Sequence, residues 1–312
     1  MHTYNVKLAI SRFYGILISV IQTDMSILLA SPAWAYITWN EMKKTLFALV
    51  ALAATGSAMA ASTNPFSRDI SEPVAVKSPY TFELGLTTHR EVYKEYVASG
   101  KLMQEEAWMT GVKGGVTREL ADIGGKVVLT GEFAMGRADY TGSYQGGNYG
   151  ELHLGGLNRN LIEVTGMYKQ SAPKWNGLTV GAGLGYRRLV DNLQDGGPGG
   201  YKRTNERLYL ILGLEQAFQF KTWSITPGVQ YKHILKSKQT SDLYGGVTVD
   251  QHRGYGAEVS IAFSHKSEKY NTVITPYYRQ WNVKDSTVDA RTNLYEPRNR
   301  TKELGIALTV QF

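Results

Sequence analysis

The chain has 312 residues, of which 43% are hydrophobic and 11% aromatic, with 33 Gly, 20 Tyr and a formal net charge of +7. It contains no cysteine, which excludes disulfides, cysteine-ligated zinc, iron–sulfur clusters and a cysteine nucleophile. Beyond the N-terminal region no apolar run of about 20 residues occurs, so a bundle of transmembrane helices is excluded. The apolar content excludes global disorder. A globular or β-barrel protein remains.

Residues 42–60, MKKTLFALVALAATGSAMA, have the parts of a bacterial secretory signal peptide in the right order. Lys43 and Lys44 precede a short apolar stretch, and an Ala-Met-Ala cleavage site ends the segment. The apolar stretch is too short to anchor the chain in a bilayer. We therefore predict that 42–60 is removed on export.

The segments around this signal peptide are interpreted separately. Residues 1–41 have no place before a complete signal peptide, so we interpret them as a start codon assigned too far upstream, with a long unusual leader as the alternative. Residues 61–79 contain three prolines and are predicted to be a flexible periplasmic lead-in. Removing 1–60 takes four of 34 basic and two of 27 acidic residues, leaving a net charge of +5 without a basic cluster. This predicts no nucleic-acid partner.

From Tyr80 to the C-terminus, apolar residues alternate with polar or small ones. Phe82, Leu84 and Leu86 show this period of two, as do Leu304, Ile306 and Leu308 near the end of the chain. The pattern predicts an all-β protein over 80–312. Ten strands are predicted near 80–95, 103–119, 125–138, 160–171, 177–190, 203–218, 222–236, 252–266, 270–284 and 299–312.

The connections between these strands differ in length. After a brief first connection at 96–102, short connections alternate with long ones rich in Gly, Asn, Asp and Tyr. The short ones are 120–124, 172–176, 219–221 and 267–269, and the long ones are 139–159, 191–202, 237–251 and 285–298. Short periplasmic turns and long extracellular loops are typical of transmembrane β-barrels. A soluble sandwich is the alternative, but its strands usually have about 5–6 residues.

The signal peptide at 42–60, the ten-strand hairpin plan and the terminal aromatic Phe312 together resemble Gram-negative outer-membrane β-barrel proteins. The resemblance implies an up-and-down antiparallel transmembrane barrel in the bacterial outer membrane. It implies contact with outer-membrane lipid and lipopolysaccharide. It also implies recognition of Phe312, as an assembly signal, by the barrel-assembly machinery.

If the apolar set faces lipid, the other set faces the lumen and carries charges of both signs. The predicted lumen charges are Glu83, Lys113, Glu132, Glu163, Lys169, Arg187, Arg207, Glu215, Lys232, Glu258, Arg279 and Glu303. Buried charges must be paired or hydrated. Since a ten-strand barrel is close to the size that side chains fill, a salt-bridged plug is expected, with a narrow pore as the alternative.

Candidate chemistry is sparse. Asp250 and His252 are two residues apart, which on a strand places both on one face and allows a carboxylate-oriented general base. Omptins, which are ten-stranded outer-membrane proteases, are similar in strand number and in having such a pair. Their facing Asp-x-Asp pair has no counterpart here, where the loops offer only Asp139.

These observations predict a structural or surface-interaction protein, or a narrow passive pore, and no enzymatic activity. The alternative is a hydrolase, an omptin-like protease or a lipid A-modifying enzyme, with its site at the extracellular rim. No cofactor is expected, and no metal site, because the histidines lack metal-ligand spacing. The Tyr- and Gly-rich loop 139–159 is a candidate for binding an extracellular ligand.

Overall fold

The computed structural model describes residues 78–143, 147–172, 175, 177–197 and 199–312. The predicted segments 1–41 and 42–60, and nearly all of 61–79, lie outside the described residues. Within those residues, no helix has the length and apolar character that crossing a bilayer requires.

Ten long strands form a closed antiparallel barrel, which confirms the predicted fold class. They are β1 (Tyr80–Val97), β2 (Gly100–Leu120), β3 (Gly125–Gly142), β4 (Leu152–Ala172), β5 (Leu178–Asn192), β6 (Lys202–Gln216), β8 (Trp223–Ser241), β10 (Gly254–Lys266), β11 (Asn271–Val283) and β12 (Arg298–Gln311). Each pairs with its neighbour, and β1 with β12 and β8 with β10 complete the ring. Two short strands, β7 (Phe218–Phe220) and β9 (Val247–Asp250), pair with β8.

The strands extend further at the extracellular end than the sequence pattern predicts. β4 begins at Leu152 instead of near 160, and β8 continues to Ser241 instead of ending near 236. The predicted loop 139–159 was therefore too long, since strand covers its two ends. The reason is that the barrel wall continues above the lipid, where outward residues are polar and the apolar alternation disappears.

An apolar belt surrounds the outside of the barrel. Its exposed side chains include Phe82, Leu84, Leu86, Val112, Phe133, Ile162, Leu184, Val259, Ile306 and Leu308. On β12 the belt runs from Leu304 to Phe312, close to the roughly 9–11 residues that a tilted transmembrane strand needs. At the periplasmic end Phe312 exchanges two backbone hydrogen bonds with Phe82, and the two rings stack at 6.2 Å. The C-terminal residue is thus part of the ring closure.

Inward glycines make room for large aromatic side chains. A Cβ on Gly185 would lie 2.2 Å from the Tyr209 ring, and one on Gly305 would lie 2.6 Å from the Tyr277 ring. Any side chain at these positions would push the aromatic ring away. The space that these two glycines leave is therefore filled by tyrosines.

Candidate functional site

The predicted lumen charges line the inside of the barrel, and they divide by depth. Nearest the periplasm, Glu83, Lys113, Lys169 and Glu215 line a polar cavity of about 380 Å³. Lys169 forms an ion pair with Glu215, and Gln311 donates to Glu83 at 2.9 Å. The upper wall of this cavity contains charges from the middle of the barrel, including Glu132, Glu163, Lys232, Glu258 and Arg279.

In the middle of the barrel, two arginines share the same carboxylates. Arg279 donates hydrogen bonds to Glu163 at 2.8 Å, to Glu303 at 2.9 Å and to Glu258 at 2.7 Å. Arg187 donates to Glu163 at 3.0 Å and to Glu303 at 2.6 Å. Glu303 is 0% exposed and Arg187 is 1% exposed. The shared carboxylates join opposite walls of the barrel through charge-assisted hydrogen bonds.

Further groups complete this arrangement, which we call the central cluster. Lys232 donates to Glu258 at 2.8 Å and lies 3.7 Å from Glu163. The Tyr209 hydroxyl donates to Glu163. Glu132 lies 3.9 Å from both Arg279 and the His89 ring. The central cluster comprises Glu132, Glu163, Arg187, Lys232, Glu258, Arg279 and Glu303.

Arg207 differs from the cations of the central cluster. Its guanidinium makes one long hydrogen bond, 3.4 Å to Asn299, and no ion pair with any described residue. It lies 5.6 Å above the Trp281 ring, and it faces Arg187 in the β5–β6 register. Buried polar atoms without a hydrogen-bond partner in the described chain gather here, among them Arg207 Nε, Trp281 Nε1 and Thr301 Oγ1.

A second network lies nearer the extracellular end, and sequence reasoning missed it. Arg159 donates to Glu91 at 2.6 Å and forms ion pairs with Glu105 and Asp191. Arg203 donates to Asp191 at 3.1 Å and to Glu105 at 3.1 Å. We call Glu95, Glu105, Arg159, Asp191, Arg203 and Glu296 the extracellular cluster. Glu91, which also accepts from Arg187 at 3.1 Å, connects it to the central cluster.

Tyr93 joins two carboxyl groups at the top of the extracellular cluster. Its hydroxyl oxygen lies 2.8 Å from Glu95 Oε1 and 2.9 Å from Glu296 Oε1. A hydroxyl has one proton, so it donates to only one of these oxygens, and the second contact needs a proton from a carboxyl group. Burial, followed by repulsion from Glu95, raises the pKa of Glu296 well above its usual value. A protonated Glu296 therefore fits this geometry.

Above these carboxyl groups lies a mixed pocket of about 330 Å³. Its polar lining includes Glu95, Glu296 and Tyr201, and burial raises the pKa of Tyr201. Its apolar part is lined by side chains that include Val97, Leu102, Leu243, Val247, Val249 and Leu294. The pocket and the periplasmic cavity thus lie on opposite sides of the two clusters.

The candidate catalytic residues Asp139, Asp250 and His252 do not assemble into a site. Asp250 ends β9 and His252 follows in a loop, so the expectation that a strand holds both was wrong. His252 Nε2 is 3.8 Å from Asp250 Oδ2; the His252 side chain is exposed and that of Asp250 is partly exposed. Asp139 is exposed on the outer face of β3, five strands from β10 around the ring. No group of three or more potential metal ligands occurs among the described residues.

No protein-family model and no curated protein matches the sequence. The barrel is similar to solved outer-membrane structures. The outer membrane protease OmpT from Escherichia coli has 14% identity and a TM-score of 0.42, with 75% of this chain and 96% of that chain covered. The transport unit of the autotransporter AIDA-I from Escherichia coli has 12% identity and a TM-score of 0.39, covering 81% and 96%. Neisserial surface protein A has 11% identity and a TM-score of 0.31, covering 75% and 98%.

A likeness at this level concerns the fold, and none of these proteins' activities or ligands transfers to this chain. The closed ten-strand ring, its apolar outer belt and its charged interior are the features of an outer-membrane β-barrel.

Proposed function

We propose that this chain is an exported barrel of the bacterial outer membrane whose lumen is closed by the central cluster, and that it acts through its extracellular surface. Glu163 and Glu303 carry this proposal. Each accepts hydrogen bonds from both Arg187 and Arg279, so that side chains from four strands meet across the lumen. Charges that pair across the centre of a narrow barrel support a plug over a pore.

Single-channel conductance in a planar bilayer tests the closed state. Folded protein, verified by its altered migration in unheated SDS gels, should give no discrete conductance steps at moderate or high salt. The double substitution Arg187→Ser and Arg279→Ser removes the two shared cations and should produce steps. Steady steps from the unaltered chain, with ion selectivity that changes in Glu132→Gln, would instead establish a narrow pore.

We also propose that the protein is not an enzyme. The position of Asp139 on the outer wall, far around the ring from Asp250 and His252, supports this view. Incubation of the folded protein with a library of basic and neutral peptides should give no cleavage. Cleavage that is abolished by Asp250→Ala and by His252→Ala would overturn the proposal and favour an omptin-like rim protease.

The proposed partners are membrane components. Outer-membrane lipid would contact the apolar belt, and the barrel-assembly machinery would recognise the C-terminal strand. The exposed Phe312 side chain beside Phe82 supports the second contact, because it lies at the seam where β1 and β12 close the ring. Replacing Phe312 by Ser should lower the amount of folded protein in outer-membrane fractions, measured against total expression. Undiminished assembly would remove Phe312 from this role.

A further inference from the structure

On the outer wall of β12 and β1, five basic residues lie directly above the apolar belt. They are Arg90, Lys94, Arg298, Arg300 and Lys302, and we call them the basic face. Lys302 is two residues above the exposed Leu304, and Arg90 is the register partner of Leu304. The basic face therefore begins at the upper border of the belt, at the depth where lipid headgroups replace acyl chains.

The charges of the basic face are not balanced by the protein. Lys94 and Arg300 are directly opposite each other in the β1–β12 register, an arrangement of like charges that is destabilising in a sheet. Two acidic side chains contact this face in the described structure: Glu106 lies 2.5 Å from Arg90 at its edge, and Asp285 accepts from the Arg298 backbone N–H at 2.7 Å. A ligand with negative charge would relieve this repulsion.

Arg300 is held in a defined orientation. Its Nε donates to Asn282 Oδ1 on β11 at 3.0 Å. This hydrogen bond uses one side of the guanidinium, so the terminal nitrogens remain to donate in parallel. Paired donation of this kind matches the oxygens of a phosphate group.

The opposite wall lacks this character. At the same height, outward positions on β3, β5, β6 and β8 carry both signs: Arg137, Asp139, Arg188, Glu206, Lys236 and Lys238. Glu206 is the register partner of both Arg188 and Lys238, so a carboxylate stands between these basic residues, whereas the register partner of Arg300 is Lys94. Attraction for an anionic ligand would therefore be strongest at the seam between β12 and β1.

We propose that the basic face binds the phosphate groups of lipid A in the outer leaflet, with the acyl chains lying against the apolar belt below. The basic residues would take the position that divalent cations hold between neighbouring lipid phosphates. The inference rests on the proposed outer-membrane orientation, which puts this rim of the barrel in the outer leaflet. It is independent of whether the lumen conducts.

Binding of fluorescent bisphosphorylated lipid A to the detergent-solubilised protein tests the proposal. The triple variant Arg298→Gln, Arg300→Gln and Lys302→Gln should bind at least tenfold more weakly, since each basic residue near an anionic surface contributes roughly fivefold. The matched control removes three exposed lysines at the periplasmic rim: Lys221→Gln, Lys266→Gln and Lys269→Gln. The control should bind as the unaltered protein does, and altered gel migration checks folding in each case.

Monophosphorylated lipid A and phosphatidylglycerol serve as competing probes. The unaltered protein should prefer the bisphosphorylated lipid, and this preference should shrink in the triple variant. Equal binding by the triple variant, or equal competition by phosphatidylglycerol, would overturn the lipid A site. Loss of binding in the periplasmic control alone would contradict the orientation, whereas conductance of the unaltered chain would contradict only the closed lumen.

Discussion

The central and extracellular clusters are both buried networks of arginine and carboxylate, yet their charge balance differs. In the central cluster three cations, Arg187, Lys232 and Arg279, meet four carboxylates, three of which contact two or more of these cations. In the extracellular cluster the carboxylates outnumber their two cations, Arg159 and Arg203. We therefore expect the stability of the central cluster to depend on every member. The stability of the extracellular cluster should depend mainly on its two arginines.

Arg279→Met should have the largest effect on stability. The change leaves Glu163, Glu258 and Glu303 buried with one cationic partner fewer, and breaking a buried ion pair typically costs about 3–5 kcal/mol. Urea unfolding in detergent, followed by gel migration, should show a midpoint far below that of the unaltered protein.

The double variant Lys232→Met and Glu258→Leu provides a control for Arg279→Met. It removes one charge of each sign, and exchanging a buried pair for apolar groups is often close to neutral. It should therefore unfold nearer to the unaltered protein than Arg279→Met does. If Arg279→Met left the midpoint unchanged, the central cluster would not stabilise the barrel.

In the extracellular cluster, removal of a cation and removal of a carboxylate should have unequal effects. Arg203→Met leaves Glu95, Glu105 and Asp191 facing one another and should destabilise by about 3 kcal/mol or more. Glu105→Gln reduces the carboxylate excess, so the free energy of unfolding should change by less than about 1 kcal/mol. Equal losses of unfolding free energy in the two variants would contradict the excess of carboxylates over cations in the extracellular cluster.

Most of the fold follows from the sequence because lipid requires an apolar side chain at every second position. The same rule identifies Glu83 as inward. Above the belt the outward residues become polar, so the alternation that locates Glu91 and Glu95 is no longer visible in residue type. Every second residue counted from Glu83 still points inward, which places both glutamates in the lumen, since the first irregularity in β1 comes between Glu95 and Tyr96.

Sequence alternation fails elsewhere for a geometric reason. Register shifts occur between Ala138 and Tyr140 and between Leu208 and Tyr209. Each bulge inserts an unpaired residue and reverses the faces beyond it. Arg159 and Asp191 were missed for the simpler reason that both fall in predicted loops, 139–159 and 191–202.

The pH dependence should distinguish the two clusters. The pKa of Glu296 is raised by burial first and by Glu95 second, so the folded protein favours the protonated form. A raised folded-state pKa contributes stability that is present below the unfolded value and is lost as the pH rises through the folded value. The rate of hydrogen exchange in loop 284–297 should therefore increase more steeply with pH than base catalysis of exchange alone predicts.

Glu296→Gln provides the matched control for this pH dependence. The amide keeps the shape of the protonated carboxyl group and does not ionise, so the additional pH dependence in loop 284–297 should disappear. Backbone amides of β12 near Glu303, in the central cluster, should be unaffected by the substitution. An unchanged pH profile in Glu296→Gln would assign the effect to another group.

The smallest effect is expected for Arg207→Met, although Arg207 is more deeply buried than Arg279. Arg207 has no ion pair in the described structure, and Arg187 faces it across the β5–β6 register. Removing a cation that no carboxylate contacts leaves no newly unpaired carboxylate, and methionine retains contact with the Trp281 ring. The free energy of unfolding should stay within about 1 kcal/mol of that of the unaltered protein. A loss of unfolding free energy as large as that of Arg279→Met would mean that Arg207 stabilises the carboxylates without contacting them. The charge balance of the whole interior would then matter more for stability than the individual ion pairs.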